Sequence, residues 1–403
     1  MLTKDFAMKQ LKKMTPEEIE ENAYLIKESI EEHFGSIKDS RRACSISHRL
    51  ENIIFITICA ILCTANDLKG ITMYAEGKEE WLKKILGIQK IPSYSTFWWT
   101  FVLLKPSEIQ NAFVNWARTV TGTLDGDIIA IDGKALRATA NPGKAHSFVN
   151  MVSAWSARHN FTLAQQKVDG KSNEITAIPK LLDALDLNGA HVTIDAMGCQ
   201  TEIAKKITDG GGDYTLALKE NQQNLYDECE NFFKQVNEDN LIDAECHMTE
   251  MNNDLEREKH GRVEKRKIYT TEAIDFLPKK EDWKNLKSIV CVYSTREIKG
   301  KISEERRYYI SSLPSDPNLQ AKAIRTHWGI ENKVHWMLDV GFQEDKLKAK
   351  AGNIAENLAV IRHICLNLLK QDKSTKAGIA NKRIKAVTNE SYLLHVLGGL
   401  SKV

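Results

Sequence analysis

The sequence predicts a mixed α+β or α/β protein: an all-α N-terminal region, then a mixed sheet flanked by helices, with a subdomain inserted late in the sheet. Three observations carry this reading. Apolar residues recur at helical spacing up to about residue 120, and after Thr123-Leu-Asp-Gly-Asp127 short apolar runs of strand character replace them. Those runs alternate with helical segments in the order β-β-β-α-β-α-β. From Asn221 to Leu313 the pattern weakens over nearly a hundred residues, too long for a loop in a compact domain.

The first helix is marked by Thr15-Pro16-Glu17-Glu18, which sets Thr at the N-cap, Pro at N1 and Glu at N3. Ile19, Ala23, Ile26, Ile30 and Phe34 then share one face. Ser47 to Ala65 is apolar almost all round and predicts the core helix of this unit. Further helices are expected at Gly70–Leu86, Ser95–Leu104 and Ser107–Val120. Within Ile91-Pro-Ser-Tyr-Ser-Thr-Phe-Trp-Trp99, a turn and a capping residue precede an aromatic helix, as in a helix-turn-helix. Phe97, Trp98 and Trp99 suit bundle packing, whereas Ser93, Tyr94 and Ser95 at the helix start are the candidate outward contacts.

Ile128 to Asp132 is a short apolar run ending in an acid. Val149–His159 and Phe161–Val168 follow as strands joined at His159-Asn160, then a helix over Ile175–Leu185. His191-Val-Thr-Ile-Asp195 is a second apolar run that stops at an aspartate, followed by a helix at Thr201–Thr208 and a strand at Asp213–Lys219. The weaker region holds an acidic helical stretch and strand candidates at Arg262–Tyr269, Ser288–Ser294 and Arg307–Ser311. Ser315-Asp316-Pro317 opens a long helix through about Leu338, and Asn353–Leu369 makes another.

Composition narrows the function classes. With 42% hydrophobic and 27% charged residues over 403 positions, the chain can bury a large core, which excludes a disordered tail or a fibre. The longest uncharged apolar run, Ile53–Ala65, has 13 residues; a bilayer span takes about 20, so no membrane association is expected. Residues 1–30 carry Lys4, Lys9, Lys12 and Lys13 but no apolar stretch of the export type. The eight cysteines are scattered without a C-x-x-C, which argues against disulfides and structural zinc and fits a cytoplasmic location. Charge is segregated: Tyr226–Glu258 has eleven acids against Lys234 and Arg257, and Lys346–Lys385 has ten bases against Glu356 and Asp372. The basic run is either a nucleic-acid footprint or a solvated face.

The two strands that end in Asp132 and Asp195 need explaining, because an unpaired buried carboxylate is costly. Either the two acids converge on a shared divalent cation, magnesium first, or each caps the turn that follows it. A third acid is expected from a helix on the same sheet edge. In His327-Trp-Gly-Ile-Glu-Asn-Lys-Val-His335, Glu331 stands four residues from both histidines and shares their helix face. Zinc fits this spacing poorly, since the paired-histidine motif places its Glu beside the first His. Asp339, Glu344 and Asp345 are the rival third acids.

Six segments together carry a resemblance: Ile131-Asp-Gly-Lys-Ala-Leu-Arg137, Lys171-Ser-Asn-Glu-Ile-Thr-Ala-Ile-Pro179, Val192–Gln200, Gly212–Lys219, His327–Asn332 and Leu338–Asp345. They resemble the corresponding segments of the H-repeat-associated insertion-sequence transposases, DDE-class enzymes with a ribonuclease-H-like core. The resemblance runs in order over residues 15–370. It implies Asp132, Asp195 and Glu331 as a metal-binding triad for two Mg²⁺ ions, with Mn²⁺ as the alternative. It also implies a division into an N-terminal helical, DNA-end-binding domain at 1–120, a catalytic domain at 121–370 with an insertion at 221–313, and a basic C-terminal tail at 371–403.

The activity implied is cleavage of element ends and their joining to target DNA, by a homo-oligomer assembled on DNA in the bacterial cytoplasm at the nucleoid. A metal-dependent nuclease and a non-catalytic DNA-binding descendant are the alternatives. Around its Glu the wider superfamily carries Tyr, Arg and Lys where this chain has Ile324, His327 and Leu338. Phosphate contacts are therefore expected from Lys134, Arg137, Lys219, Arg325, His327 and Lys333, and from Lys346, Lys348 and Lys350.

Overall fold

A computed structural model describes residues 15–140, 148–168, 173–252 and 262–401. Lys4, Lys9, Lys12, Lys13, Lys171 and Ser172 lie outside the described residues. The chain opens with α1 (Pro16–Phe34), whose Thr15 hydroxyl accepts from Glu18 N at 3.2 Å while Thr15 N donates to the Glu18 carboxylate at 2.8 Å. This is the capping box read from the sequence. Then come α2 (Leu50–Leu62), α3 (Leu68–Gly77), α4 (Glu79–Leu86), α5 (Tyr94–Leu103) and α6 (Pro106–Thr121). Every residue of α2 is buried, as its all-round apolarity requires. The single helix expected at Gly70–Leu86 is two, because the backbone leaves helical geometry at Lys78, just after Gly77.

Among the described residues nine strands form one sheet: β1 (Ile128–Leu136), β2 (Val149–Ser156), β3 (Phe161–Lys167), β4 (His191–Ile194), β5 (Asp213–Leu218), β6 (Cys246–Asn252), β7 (Arg262–Thr271), β8 (Ser288–Ile298) and β9 (Lys301–Ser311). Their order is β3-β2-β1-β4-β5-β9-β8-β7-β6. β1, β4 and β5 run parallel; the remaining pairings are antiparallel. α7 (Glu174–Asp183) and α8 (Thr201–Asp209) make the crossovers into β4 and β5. This is the mixed sheet with flanking helices that the element order predicts, and it agrees with the ribonuclease-H-like core that the resemblance implies.

Three expectations are corrected. The insertion at 221–313 does not stand apart as a subdomain: after α9 (Gln223–Gln235) its strands continue the main sheet, with β9 paired to β5 from Thr215↔Ser311 to Leu218↔Tyr308. Otherwise β5 would present an open row of backbone donors and acceptors. The long helix from Pro317 is interrupted, as α10 (Pro317–His327) leads into a π-helical turn at Glu331–His335 and then α11 (Trp336–Phe342).

The third correction concerns the expected C-terminal tail at 371–403, whose described residues, 371–401, do not form one. After α12 (Ile354–Gln371), α13 (Ile379–Thr388) and α14 (Glu390–Leu397) pack back onto the N-terminal helices, and Tyr392, Leu394 and Leu397 are buried. Lys382 and Arg383 are buried with them. Lys382 Nζ donates to Leu369 O at 2.8 Å and Asp372 O at 2.6 Å; Arg383 Nη2 donates to Ile61 O at 2.7 Å. Both cations thus satisfy the orphan carbonyls at the C-terminal ends of α12 and α2. One core runs through the molecule, joining Ile26, Trp116, Ile129, Tyr214 and Leu366. Among the described residues no helix is long and apolar enough to cross a membrane.

Candidate active site

β1 and β4 are parallel neighbours with Ile131 opposite Ile194, so Asp132 and Asp195 are the next residues on adjacent strands. Asp195 also caps its own turn, its Oδ1 accepting from Met197 N at 3.2 Å. Asp132 Oδ1 accepts from Gly133 N at 2.9 Å, but β1 continues through Leu136, so no turn follows Asp132 and the expectations that its strand stops there and that it caps a turn are corrected.

Glu331 comes to the same sheet edge on the π-turn, a deformation that recurs at functional sites. Its carboxylate is largely exposed, whereas His335, four residues on, is buried. His335 Nδ1 donates to Glu331 Oε2 at 3.1 Å and lies 3.4 Å from Asp132 Oδ2. Ligand atoms of Asp132, Glu331 and His335 all fall within 4.8 Å of one another. Two carboxylates and an imidazole suit a divalent cation; Asp195, the residue after β4, lies outside that group, though its charge acts on Asp132.

The electrostatics agree. Burial pushes the Asp132 carboxyl up and the Asp195 charge adds to this, while His335 and His327 oppose it. The His335 hydrogen bond holds Glu331 down. Burial lowers His327, whose Nδ1 is 3.2 Å from Thr193 Oγ1 on β4.

Sequence reasoning missed Glu174, at the start of α7. Its carboxylate rests against Gly133: a Cβ on Gly133 would fall 2.0 Å from Glu174 Oε1, so any larger residue there would displace that carboxylate. Burial, then the charges of Asp195 and Asp132, push Glu174 up to about 7. The residue sits in the Lys171-Ser-Asn-Glu174 segment, but nothing in its spacing tied it to the two strand ends.

Two of the three rival acids, Asp339 and Glu344, are engaged elsewhere. The Lys134 ammonium bonds to Asp339 and, at 2.9 Å, to Glu344 Oε2, whose other oxygen is 3.8 Å from Arg362 Nη1. Lys134 is thereby spent in a half-buried tie between β1 and the segment after α11, which corrects its expected role on DNA. His327 is likewise turned to Thr193 and the acids. Leu338, where the wider superfamily carries Lys, is fully buried.

The other expected contacts reach the surface. Arg325 and Lys333 line one groove of about 1260 Å³ between α10 and the sheet, together with Arg158, Arg266, Arg296 and Arg307. Arg137 and Lys346 come together because the helical turns at Arg137–Thr139 and Glu344–Lys346 pack on each other. Lys219, Lys348 and Lys350 are exposed, Lys219 at the end of β5.

Comparison with known proteins follows the same division. A family model described as "Transposase DDE domain" matches residues 123–368, and one described as "DDE_Tnp_1-associated" matches residues 31–117. The chain is 37% identical over 383 residues to "H repeat-associated putative transposase YhhI" of Escherichia coli K12, covering 91% of this chain and 97% of that protein. It is also 37% identical over 386 residues to "Putative transposase YncI" of Escherichia coli O157:H7, covering 93% and 96%. A solved piggyBac transposase synaptic complex with hairpin DNA is similar at 12% identity and a TM-score of 0.43, covering 99% of this chain and 82% of that one.

Proposed function

The chain belongs to the DDE-domain transposase family, and from that premise we propose that it cuts the ends of a DNA element and joins them to target DNA. The observation that carries the reading is the meeting of Asp132, Glu331 and His335 within 4.8 Å, with Asp195 on the adjacent strand. In this reading Asp132, Asp195 and Glu331 hold two Mg²⁺ ions, or Mn²⁺. When bound, the ions supply a deprotonated water or 3′-hydroxyl nucleophile and neutralise charge on the leaving oxygen.

The chain's own residues do the positioning. The sheet backbone fixes Asp132 inside β1 and Asp195 just after β4, and the exposed Glu331 closes the site from the helix side, where a phosphodiester can reach it. His335 orients Glu331 by donating from Nδ1. Arg137, Lys219, Arg325, Lys333, Lys346, Lys348 and Lys350 bind backbone phosphates around the site. The N-terminal helices hold the element ends, and a homo-oligomer pairs two of them in the bacterial cytoplasm at the nucleoid.

A supercoiled plasmid incubated with the protein, Mg²⁺ and a labelled 3′-hydroxyl donor tests the reading. Label joined to plasmid supports transposition. Nicking without joining identifies a nuclease, and binding without either identifies a DNA-binding descendant.

A further inference from the structure

Trp155 on β2 is buried, and its Nε1 has no hydrogen-bond partner among the described residues. Two ammonium groups approach the same ring: Lys333 Nζ lies 5.3 Å from its centroid and Lys370 Nζ 6.0 Å. Gly329 permits the arrangement, since a Cβ there would stand 3.1 Å from two ring carbons. Lys333 is two residues beyond Glu331, and Lys370 ends α12.

Among the described residues, the charged groups shown set against this ring are both cations. Neither lysine pairs with a carboxylate among the described residues; Lys370 Nζ donates to Asn160 Oδ1 at 3.3 Å, and Lys373 Nζ donates to the Lys370 carbonyl at 3.0 Å. Burial and the like charges of Lys333 and Lys373 press the Lys370 ammonium down to about 7. Cation–π contact offsets part of that cost. An apolar side chain at 370 would avoid it altogether, so the cation is retained against stability.

We propose that Lys333 and Lys370, both set against the Trp155 ring, form a subsite for one backbone phosphate of the DNA strand that passes Glu331. A phosphodiester carries one negative charge and only acceptor oxygens, the complement of a site made of donors. The groove lined by Trp155 and Lys333 is open to solvent along the helix that bears Glu331, so a strand lying there brings a phosphate to Lys333 beside the ring that Lys370 also approaches. The inference rests on the transposase reading for the identity of the anion.

The test uses the full chain, a labelled DNA duplex of fixed sequence and fluorescence anisotropy over a range of salt, with Lys333→Met, Lys370→Met and the double variant. Two lysines on one phosphate predict that the double variant lowers the slope of log affinity against log salt by about one unit rather than two. Lys370→Met should meanwhile raise Tm, because a methionine carries no charge to bury. A higher Tm with unchanged slope and affinity overturns the subsite, and so does a loss of about two units, which would mean separate phosphates. Lys333→Met alters an exposed residue and keeps the test decisive should Lys370→Met fold poorly. If the parent protein itself binds duplex without salt dependence, the transposase reading fails, not the subsite alone.

Discussion

His335 Nδ1 on the π-turn lies 3.4 Å from Asp132 Oδ2 at the sheet edge, so one imidazole links the helix side of the site to its strand side. The same nitrogen donates to Glu331. Were the helix regular, with no π-turn, Glu331 and His335 would be rotated relative to β1, and three donors would not share one point.

Asp132→Asn, Asp195→Asn and Glu331→Gln should each lower DNA cleavage by on the order of 10³-fold or more, with folding and duplex affinity nearly unchanged. His335→Ala should act through the acids it orients, weakening Mn²⁺ affinity by about 10–100-fold. Calorimetric titration with Mn²⁺ and a plasmid nicking assay check both. A triad variant that still nicks at the parental rate is not a ligand.

Lys134 tests a different role. Its ammonium sits between Asp339 and the buried Glu344, so Lys134→Ala leaves Glu344 facing only Arg362 at 3.8 Å. Removing one partner of a buried pair typically costs about 3 kcal/mol, less here to the extent that Arg362 compensates. Urea unfolding should show the loss, while the salt dependence of DNA binding stays at the parental slope. A changed slope would put Lys134 back on the DNA path.

Glu174 gives a pH signature. Its folded value of about 7 lies above the ordinary 4.5, so the folded protein holds a proton that the unfolded chain has released. Stability of the metal-free protein should therefore fall as pH rises through that window. Glu174→Gln removes the loss: its urea midpoint should exceed the parent's at pH 8 and approach it near pH 4.5. Parallel midpoint curves for the two proteins across this range would show that Glu174 is not held protonated by its neighbours.

Much of this was legible in residue order. An apolar strand stopping at Asp195, and a helical segment carrying Glu331 between two histidines, follow from period and spacing alone, whereas β1 runs past Asp132 to Leu136 because its polar half pairs with β2. Long-range pairing was not. Nothing local tells β9 that its partner is β5, and the insertion consequently read as a separate unit. Nor does a run of lysines and arginines reveal that Lys382 and Arg383 turn inward, because the carbonyls that attract them belong to helix ends brought near only by folding. Glu174 escaped for the same reason: its link to Asp132 is the neighbouring Gly133 on β1, which only folding brings against the start of α7.

The basic segment that does stay outside distinguishes affinity from preference. Lys346, Lys348 and Lys350 are exposed, and Lys346 adjoins Arg137 just beyond β1. Contacts from such flexible ammonium groups go to phosphates, which carry no sequence information. Converting all three to Ala should flatten the salt dependence by about one unit per lost contact and weaken binding equally for matched and scrambled ends. Ser93, Tyr94 and Ser95 are also exposed, but they stand at the capped start of α5, where the Ser93 hydroxyl accepts from Thr96 N at 3.3 Å and fixes their direction. Substituting Tyr94 or Ser95 should reduce the ratio of affinities for element end over scrambled duplex and leave the salt slope alone. Competition anisotropy with both duplexes at two salt concentrations separates the outcomes. A triple lysine variant with parental affinity and slope would make that run a solvated face, and the DNA path would then follow the groove beside Trp155 and Lys333.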